Sequence, residues 1–362
     1  MSIRTSTTHL LIAVVVSLLI TATATVAQVP PPSPKPGQPA YPKPKENEPK
    51  EKEKPPKSPG PVGLPPNIQM GEGTTTERSL AVDTKVNIQM CVTQGSLKIN
   101  GWKRNEVRAF VGEGSKFGFR VLQKSVKGEP ALISIVAVKK LPGGGMTTAE
   151  CIAGQEVELD VPENAAVTIK GRETETTVDT VRKVLVENGG GDISIRNVAQ
   201  GVRATTYQGN VTVENSQGML VLNSGSGNIV AYEVGPADVG DTFKAKTNSG
   251  SISLQKVEYL LADVNSISGS IVFTGELLSG GSYMFGTTNG AIRLALPSKT
   301  SCRITATYGY GSFNAEFPMK TLTEDVRPGS VKTINALIGD GDATLRLTTS
   351  NGSILIKKIG SL

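Results

Sequence analysis

The residues able to do chemistry are few. A single histidine, His9, stands in an apolar N-terminal run. Once that run is removed, no imidazole remains to serve a Ser-His or Cys-His pair or to ligate a metal. Enzymatic chemistry would then fall to carboxylates, Lys, Arg or Tyr. Glu233, Glu258, Asp263, Glu276 and Glu316 are spread over different repeats, with no recurring carboxylate-x-carboxylate pair to mark a glycan-cleaving couple. Gly339-Asp340-Gly341-Asp342 resembles a calcium turn. A repeat-type calcium site needs its motif on consecutive turns, and this one is written once, so a plain tight turn is expected. Gly225-Ser226-Gly227 precedes a strand rather than a helix and is no phosphate loop. Trp102 could offer a stacking platform, but no neighbouring aromatic supplies a second wall, and a packed cap residue is expected. The expectation is a protein that is not an enzyme, with no catalytic, cofactor-binding or metal-binding set and no cofactor.

The three cysteines are an odd number for an exported chain. Cys91 and Cys151 both fall in the N-terminal part and could form a disulfide there, while Cys302 lies on a repeat strand, pointing inward. Spacing alone does not show the pairing.

What positions these residues is a phrase written again and again from about residue 184 onward. Its copies include GGGDISIRNV, YQGNVTVEN, TNSGSISLQKV, SISGSIVFTGEL, TTNGAIRLALP and TSNGSILIKKI. Each is a glycine, a small or polar residue, then apolar residues two and four places on. The glycines are Gly191, Gly209, Gly218, Gly227, Gly250, Gly269, Gly290, Gly311, Gly341 and Gly352, and Gly95 begins the same grammar earlier. The following pairs are nearly all bulky: Ile193/Ile195, Val211/Val213, Ile252/Leu254, Ile271/Phe273, Ile292/Leu294, Ile354/Ile356. Before the glycine a matching alternation appears, as in Val202, Ala204, Thr206 and in Phe243, Ala245, Thr247, and Ile334, Ala336, Ile338 stand in the same way before Gly341. Period two on both sides of a glycine reads as strand, corner, strand with one buried face, the glycine supplying a positive φ.

From Gly250 to Gly311 the corners recur every 19 to 21 residues, while Gly209, Gly218 and Gly227 are 9 apart. A period near 20 in an all-β chain suggests rungs of a single-stranded β-solenoid, each about 4.8 Å above the last. One rung could not offset its ordering entropy, whereas a stack can. A pile or sandwich of antiparallel hairpins, turning at Asn289-Gly290 or Asn351-Gly352, also fits the register. The near-constant rung length favours the solenoid.

Residues 1–27 read as a signal peptide, with Arg4, an apolar run Leu10–Ile20 and small residues before a cleavage point. Left uncleaved, the segment would be a short membrane anchor. Residues 28–66 are a Pro/Lys-rich disordered linker whose seven lysines and four glutamates account for half of the chain's net charge of +6. The remaining charges are scattered and of both signs, so a solvated surface is expected and no nucleic-acid partner. Residues 67–183 would form an N-terminal β cap and first rungs, and 184–362 the solenoid.

The export signal, GSLKINGWKRNEVRAFV, VPENAAVTIKG and the run SGSISL, SGSIVF, NGAIRL, NGSILI together resemble the bacterial putative-adhesin family of β-strand-repeat domains, over most of residues 75 to 360. The resemblance implies a stack of short strands in a cell-envelope protein, with no catalytic residues to carry over. The function expected is adhesin-like binding of an envelope protein or glycan through a strand surface, in the periplasm, at the cell surface or secreted. A second reading is a structural protein that self-associates end to end, because the C-terminal rung TSNGSILIKKIGSL has no obvious polar cap beyond Lys357 and Lys358. A polysaccharide-acting enzyme is the third.

Overall fold

A computed structural model describes residues 67–126, 128–325 and 331–360. The expected signal peptide, residues 1–27 with His9, and the expected Pro/Lys-rich linker, residues 28–66, lie outside the described residues. The chain divides into Met1–Ser58, also outside them, and Pro59–Leu362. Every regular element among the described residues is a strand.

The repeat builds a stack of two-stranded rungs. In one rung Val202–Gln208 runs along a first sheet, the chain turns at Gly209, Val211–Gln217 runs along a second sheet, and a corner at Gly218 leads into Leu220–Ser226. Successive rungs pair in parallel on both sheets, Val202 opposite Leu220 and Val211 opposite Ile229. The solenoid is therefore the fold of the repeat, and antiparallel pairing is confined to the two ends of the stack. Inward residues of both sheets meet in a single core: Ile193, Val211, Ile229, Ile252, Ile271, Ile292 and Ile354 are all no more than 1% exposed. Each such side chain contributes about 1.5–3 kcal/mol on burial, shared with the rungs above and below.

The glycine corners form a column, and the reason is closer to sterics than to φ alone. At Gly191, Gly209, Gly227, Gly250, Gly269, Gly290, Gly352 and Gly311, a Cβ would lie 2.5–2.6 Å from the carbonyl carbon of the neighbouring rung's corner residue. Gly250 has a φ of 154°, but Gly290 and Gly352 lie outside the left-handed region and meet the same obstruction. The close approach lets the rungs exchange side-chain hydrogen bonds. Three residues before the corner, Ser224, Thr247, Ser266, Thr287 and Thr349 each donate a hydroxyl at 2.8–2.9 Å to the corner glycine carbonyl of the adjacent rung. One residue after it, the amides of Asn210, Asn228 and Ser251 donate to the side-chain oxygens of Asp192, Asn210 and Asn228. The small polar residue after each glycine satisfies an amide that the bend takes out of the ladder.

Two of the aligned glycines stand elsewhere. Gly218 is at the opposite corner, against Gly201, because the strand–glycine–strand phrase is written wherever two inward-alternating strands meet. Gly341 belongs to a tight turn, Gly339–Asp342, in which the amides of Asp340 and Gly341 each donate to Ser301 Oγ at 3.0 Å. Gly95 sits in the first complete rung, Val86–Trp102, with its missing Cβ facing the backbone of Gln155.

The opposite corner is made by a second column that strand periodicity does not anticipate. Thr180, Asn197, Asn215, Glu233 and Lys256 have φ between 42° and 57°. A residue there places two successive side chains outward before alternation resumes at Val181, Val198, Ser216, Val234 and Val257. Asparagine suits this backbone, and the side chains chain together: Asn215 donates to Asn197 at 2.7 Å, and Asn197 to Asp179 at 2.7 Å.

At the N-terminal end, Val86–Trp102 and Ala166–Val181 run through both sheets and join them. Glu156–Pro162 and Glu106–Gly112 extend the second sheet, while Ala131–Lys140 and Phe117–Gln123 extend the first. Cys91 and Cys151, paired on adjacent strands with Cα atoms 4.3 Å apart, are joined by a disulfide. Cys302 is a free, buried thiol.

The C-terminal end departs from sequence order. Ala343–Asn351 and Ile354–Lys358 insert between the rung of Ser282–Leu296 and the rung of Cys302–Ala315. The last rung in sequence is thus interior. The first sheet ends instead on two antiparallel strands, Lys332–Ile338 and Lys320–Asp325. Ile334, Ala336 and Ile338 lie on this closing strand, not on a rung. Phe313 and Ala315 are only half-buried because their strand is the edge of the second sheet.

Candidate interaction surface

The parallel register sorts the outward side chains of the first sheet into straight rows, one residue per rung. One row reads Arg203, Val221, Lys244, Asp263, Met284, Arg346, Thr305. The next reads Thr205, Asn223, Lys246, Asn265, Gly286, Thr348, Thr307. Beside them, toward the glycine corners, stand Tyr207 at 71% exposure and, at the far end, Tyr310 at 82%. Because the C-terminal rung fills the gap between Ser282–Asn289 and Cys302–Tyr310, the rows run without interruption.

Charge on this face is predominantly basic. The seven parallel strands from Val202 to Tyr310 and from Ala343 to Asn351 carry Arg203, Lys244, Lys246, Arg303 and Arg346 against Asp263, and the strand Lys183–Gly190 before them adds Lys183 and, in the Thr205 row, Glu187. Asp263 is held by Lys246 at 3.4 Å. Arg203, Lys244, Arg303 and Arg346 have no ion pair among the described residues. On the second sheet two pairs form, Arg196 with Asp179 at 2.8 Å and Lys256 with Glu233 at 2.6 Å, while Glu214, Arg293 and Lys357 have no ion pair among the described residues. The Lys256 bond holds the Glu233 carboxyl below its ordinary range and lifts the Lys256 amine. Burial pushes the Asp179 carboxyl upward, but hydrogen bonds from Asn197, Thr180 and Arg196 outweigh it and leave the group below its ordinary value.

The carboxylates singled out in sequence are not brought together. Glu233 faces out from the second sheet and Asp263 from the first. Glu276 lines a small cleft of about 150 Å³ with Lys299, Ser301 and Asp342. Glu316 accepts from the Lys358 amide at 3.0 Å, and Glu258 is exposed beyond the second sheet. Among the described residues no three His, Cys, Asp or Glu side chains cluster as metal ligands. Trp102 is half-buried in the cap, its indole N–H donating to the Glu106 carbonyl at 2.8 Å. The guanidinium groups of Arg104 and Arg108 sit 4.9 and 5.3 Å from the ring centre. Arg108 is tied in turn to Asp160 and Glu77, and the Asp160 hydrogen bond lifts its already high affinity for the proton. The indole thus packs against two arginines, of which Arg108 is itself anchored.

Sequence reasoning missed both the basic row and the two tyrosines. Their signal was present in YQG and GYG, where an aromatic side chain just before a corner glycine lands at the margin of the first face.

Among the described residues no helix is long and apolar enough to cross a membrane. No curated protein matches the sequence. A solved structure of a putative cell adhesion protein from Clostridium sporogenes ATCC 15579 is 11% identical, over 78% of this chain and 98% of that one, with a TM-score of 0.19. A putative adhesin from Bacteroides fragilis NCTC 9343 is 12% identical, over 82% of this chain and all of that one, with a TM-score of 0.27. The Toastrack DUF4097 family matches residues 135–357, from within the cap strand Ala131–Lys140 to the last rung in sequence, and the chain belongs to that family.

Proposed function

We propose that this β-repeat protein is exported, is not an enzyme, and binds an envelope protein or glycan through the outer face of its first sheet. The observation that carries the reading is the continuity of the outward rows, which present one side chain per rung at a spacing of about 4.8 Å, most of them polar or cationic. A repeated, flat surface suits an extended or polymeric partner better than a small molecule, which favours concave sites. The carboxylates that could serve catalysis stand apart on different faces. Export is supported by the pattern of residues 1–27 and by the Cys91–Cys151 bond, which persists in oxidising compartments. End-to-end assembly has lost its motive, since the C-terminal rung lies inside the stack.

The test is co-sedimentation of the full chain with cell-envelope fragments, untreated, protease-treated or stripped of glycan. Retention that one treatment abolishes supports the reading and names the partner class. A chain that stays in the supernatant throughout, or that releases soluble sugars from the fragments, overturns it.

A further inference from the structure

The charge on the first face narrows the partner further, on the assumption that this face is the binding surface. We propose that it takes an acidic polysaccharide, laid along the stack and across the strands. Arg203 and Lys244 share a row two rungs apart, and Arg346 stands three rungs beyond Lys244. At about 4.8 Å per rung these intervals are roughly 10 and 14 Å. Cations so spaced, none of them in an ion pair among the described residues, match carboxylates on every second or third sugar of an acidic polymer; Asp263 stands beside Lys244 in the same row but is held by Lys246. The adjoining row offers Thr205, Asn223, Asn265, Thr348 and Thr307, whose amides and hydroxyls both donate and accept as sugar hydroxyls require. Gly286 keeps the centre of that row low, so an extended chain can approach the cations directly. Tyr207 and Tyr310, at opposite ends of the same margin, present rings on which sugar faces can rest.

A nucleic acid fits less well. Duplex phosphates follow one another at about 1.7 Å along the axis, far denser than this row of cations, and single strands call for aromatic platforms interleaved with the charges. Here the tyrosines stand only at the ends.

The experiment compares binding of the full chain to polygalacturonate, to the same polymer fully methyl-esterified, and to duplex DNA, at low and moderate salt. Arg203→Glu with Arg346→Glu alters the face. Arg293→Glu with Lys357→Glu, on the second sheet, is the control for net charge. All four side chains are exposed, and unchanged circular dichroism and melting temperature verify that each variant folds. The expected result is binding to the acid polymer, weakened by salt, lost on esterification, and reduced about tenfold or more only by the first-sheet pair. Equal binding to the esterified polymer, tighter binding to DNA, or equal loss in both variant pairs overturns the inference. If envelope fragments retain the chain while the acid polymers do not, the acidic ligand is wrong and the binding face stands. If neither is bound, both fall.

Discussion

Replacing Gly290 by alanine separates two explanations of the glycine column. Gly290 lies outside the left-handed region, so its backbone conformation alone would accept a Cβ with little strain. In the stack, however, that Cβ would sit 2.5 Å from the Gly269 carbonyl carbon and closer still to its oxygen. Real Cβ contacts essentially never fall below 3.0 Å, and the obstacle is backbone rather than a mobile side chain, so the two rungs must part. Four hydrogen bonds cross that gap: Gly269 N to Asn289 O, Ile271 N to Ala291 O, the Thr287 hydroxyl to Gly269 O and Ala291 N to Ser270 Oγ. At about 1 kcal/mol each, opening the corner costs about 3–4 kcal/mol, a large part of the 5–15 kcal/mol typical of a folded domain. Gly235, with no atom within 4 Å of the equivalent Cβ and no positive φ, is the control. Gly235→Ala should be neutral or slightly stabilising. Urea unfolding followed by circular dichroism reads both. A Gly290→Ala midpoint indistinguishable from that of Gly235→Ala would refute the close-approach account.

Four other outcomes follow from the same geometry. Changing Cys91 and Cys151 together to serine opens a cross-link spanning 60 residues and should cost about 4 kcal/mol in urea unfolding, an effect that reductant reproduces in the parent chain. Burial holds two protons in the folded chain, pushing the Cys302 thiol up to about 11 and the Tyr259 phenol well above its ordinary value, with Asp241 adding to the latter. The unfolded chain releases these protons at about pH 8.5 and 10, so stability is intact below that range and falls as pH rises toward 11. Cys302→Ala with Tyr259→Phe should flatten the fall. Tyr259→Phe alone should cost about 1–2 kcal/mol at neutral pH, because its hydroxyl lies 2.7 and 2.8 Å from the Gly218 and Gly235 carbonyls at a buried corner. Finally, a chain ending at residue 338 loses an interior rung. Hydrogen exchange should then accelerate at both Leu294 and Ile304, whereas removal of a terminal rung would affect only one side.

The rung was legible because burial imposes period two. Ile252, Leu254 and Thr247 announce their inward positions by spacing alone. The corner glycines were legible too, although φ explains only part of their presence. The second corner left a weaker trace, in ISIRNV, VTVENS, IVAYEV and ISLQKV, where two polar residues in succession mark the left-handed turn. The order of the last rungs was not legible. TTNGAIRL and TSNGSILI carry the same inward pattern as every other rung, so side-chain period cannot say which neighbour each one pairs with. The basic face was hidden for the same reason. Arg203, Lys244 and Arg346 are far apart and unremarkable along the chain, and only the stacking register lines them up.

That alignment depends on the C-terminal rung lying between its neighbours, and disulfide trapping tests this directly. In a Cys302→Ala background, Thr288→Cys is combined with Ser350→Cys or with Gly309→Cys. Thr288 and Ser350 stand opposite each other on paired strands, while Gly309 lies one rung further on. The account predicts rapid cross-linking for the first combination and none for the second under mild oxidation. Cross-linking of Thr288→Cys to Gly309→Cys instead would mean that the rungs follow sequence order and that Arg346 does not stand in the row three rungs from Lys244.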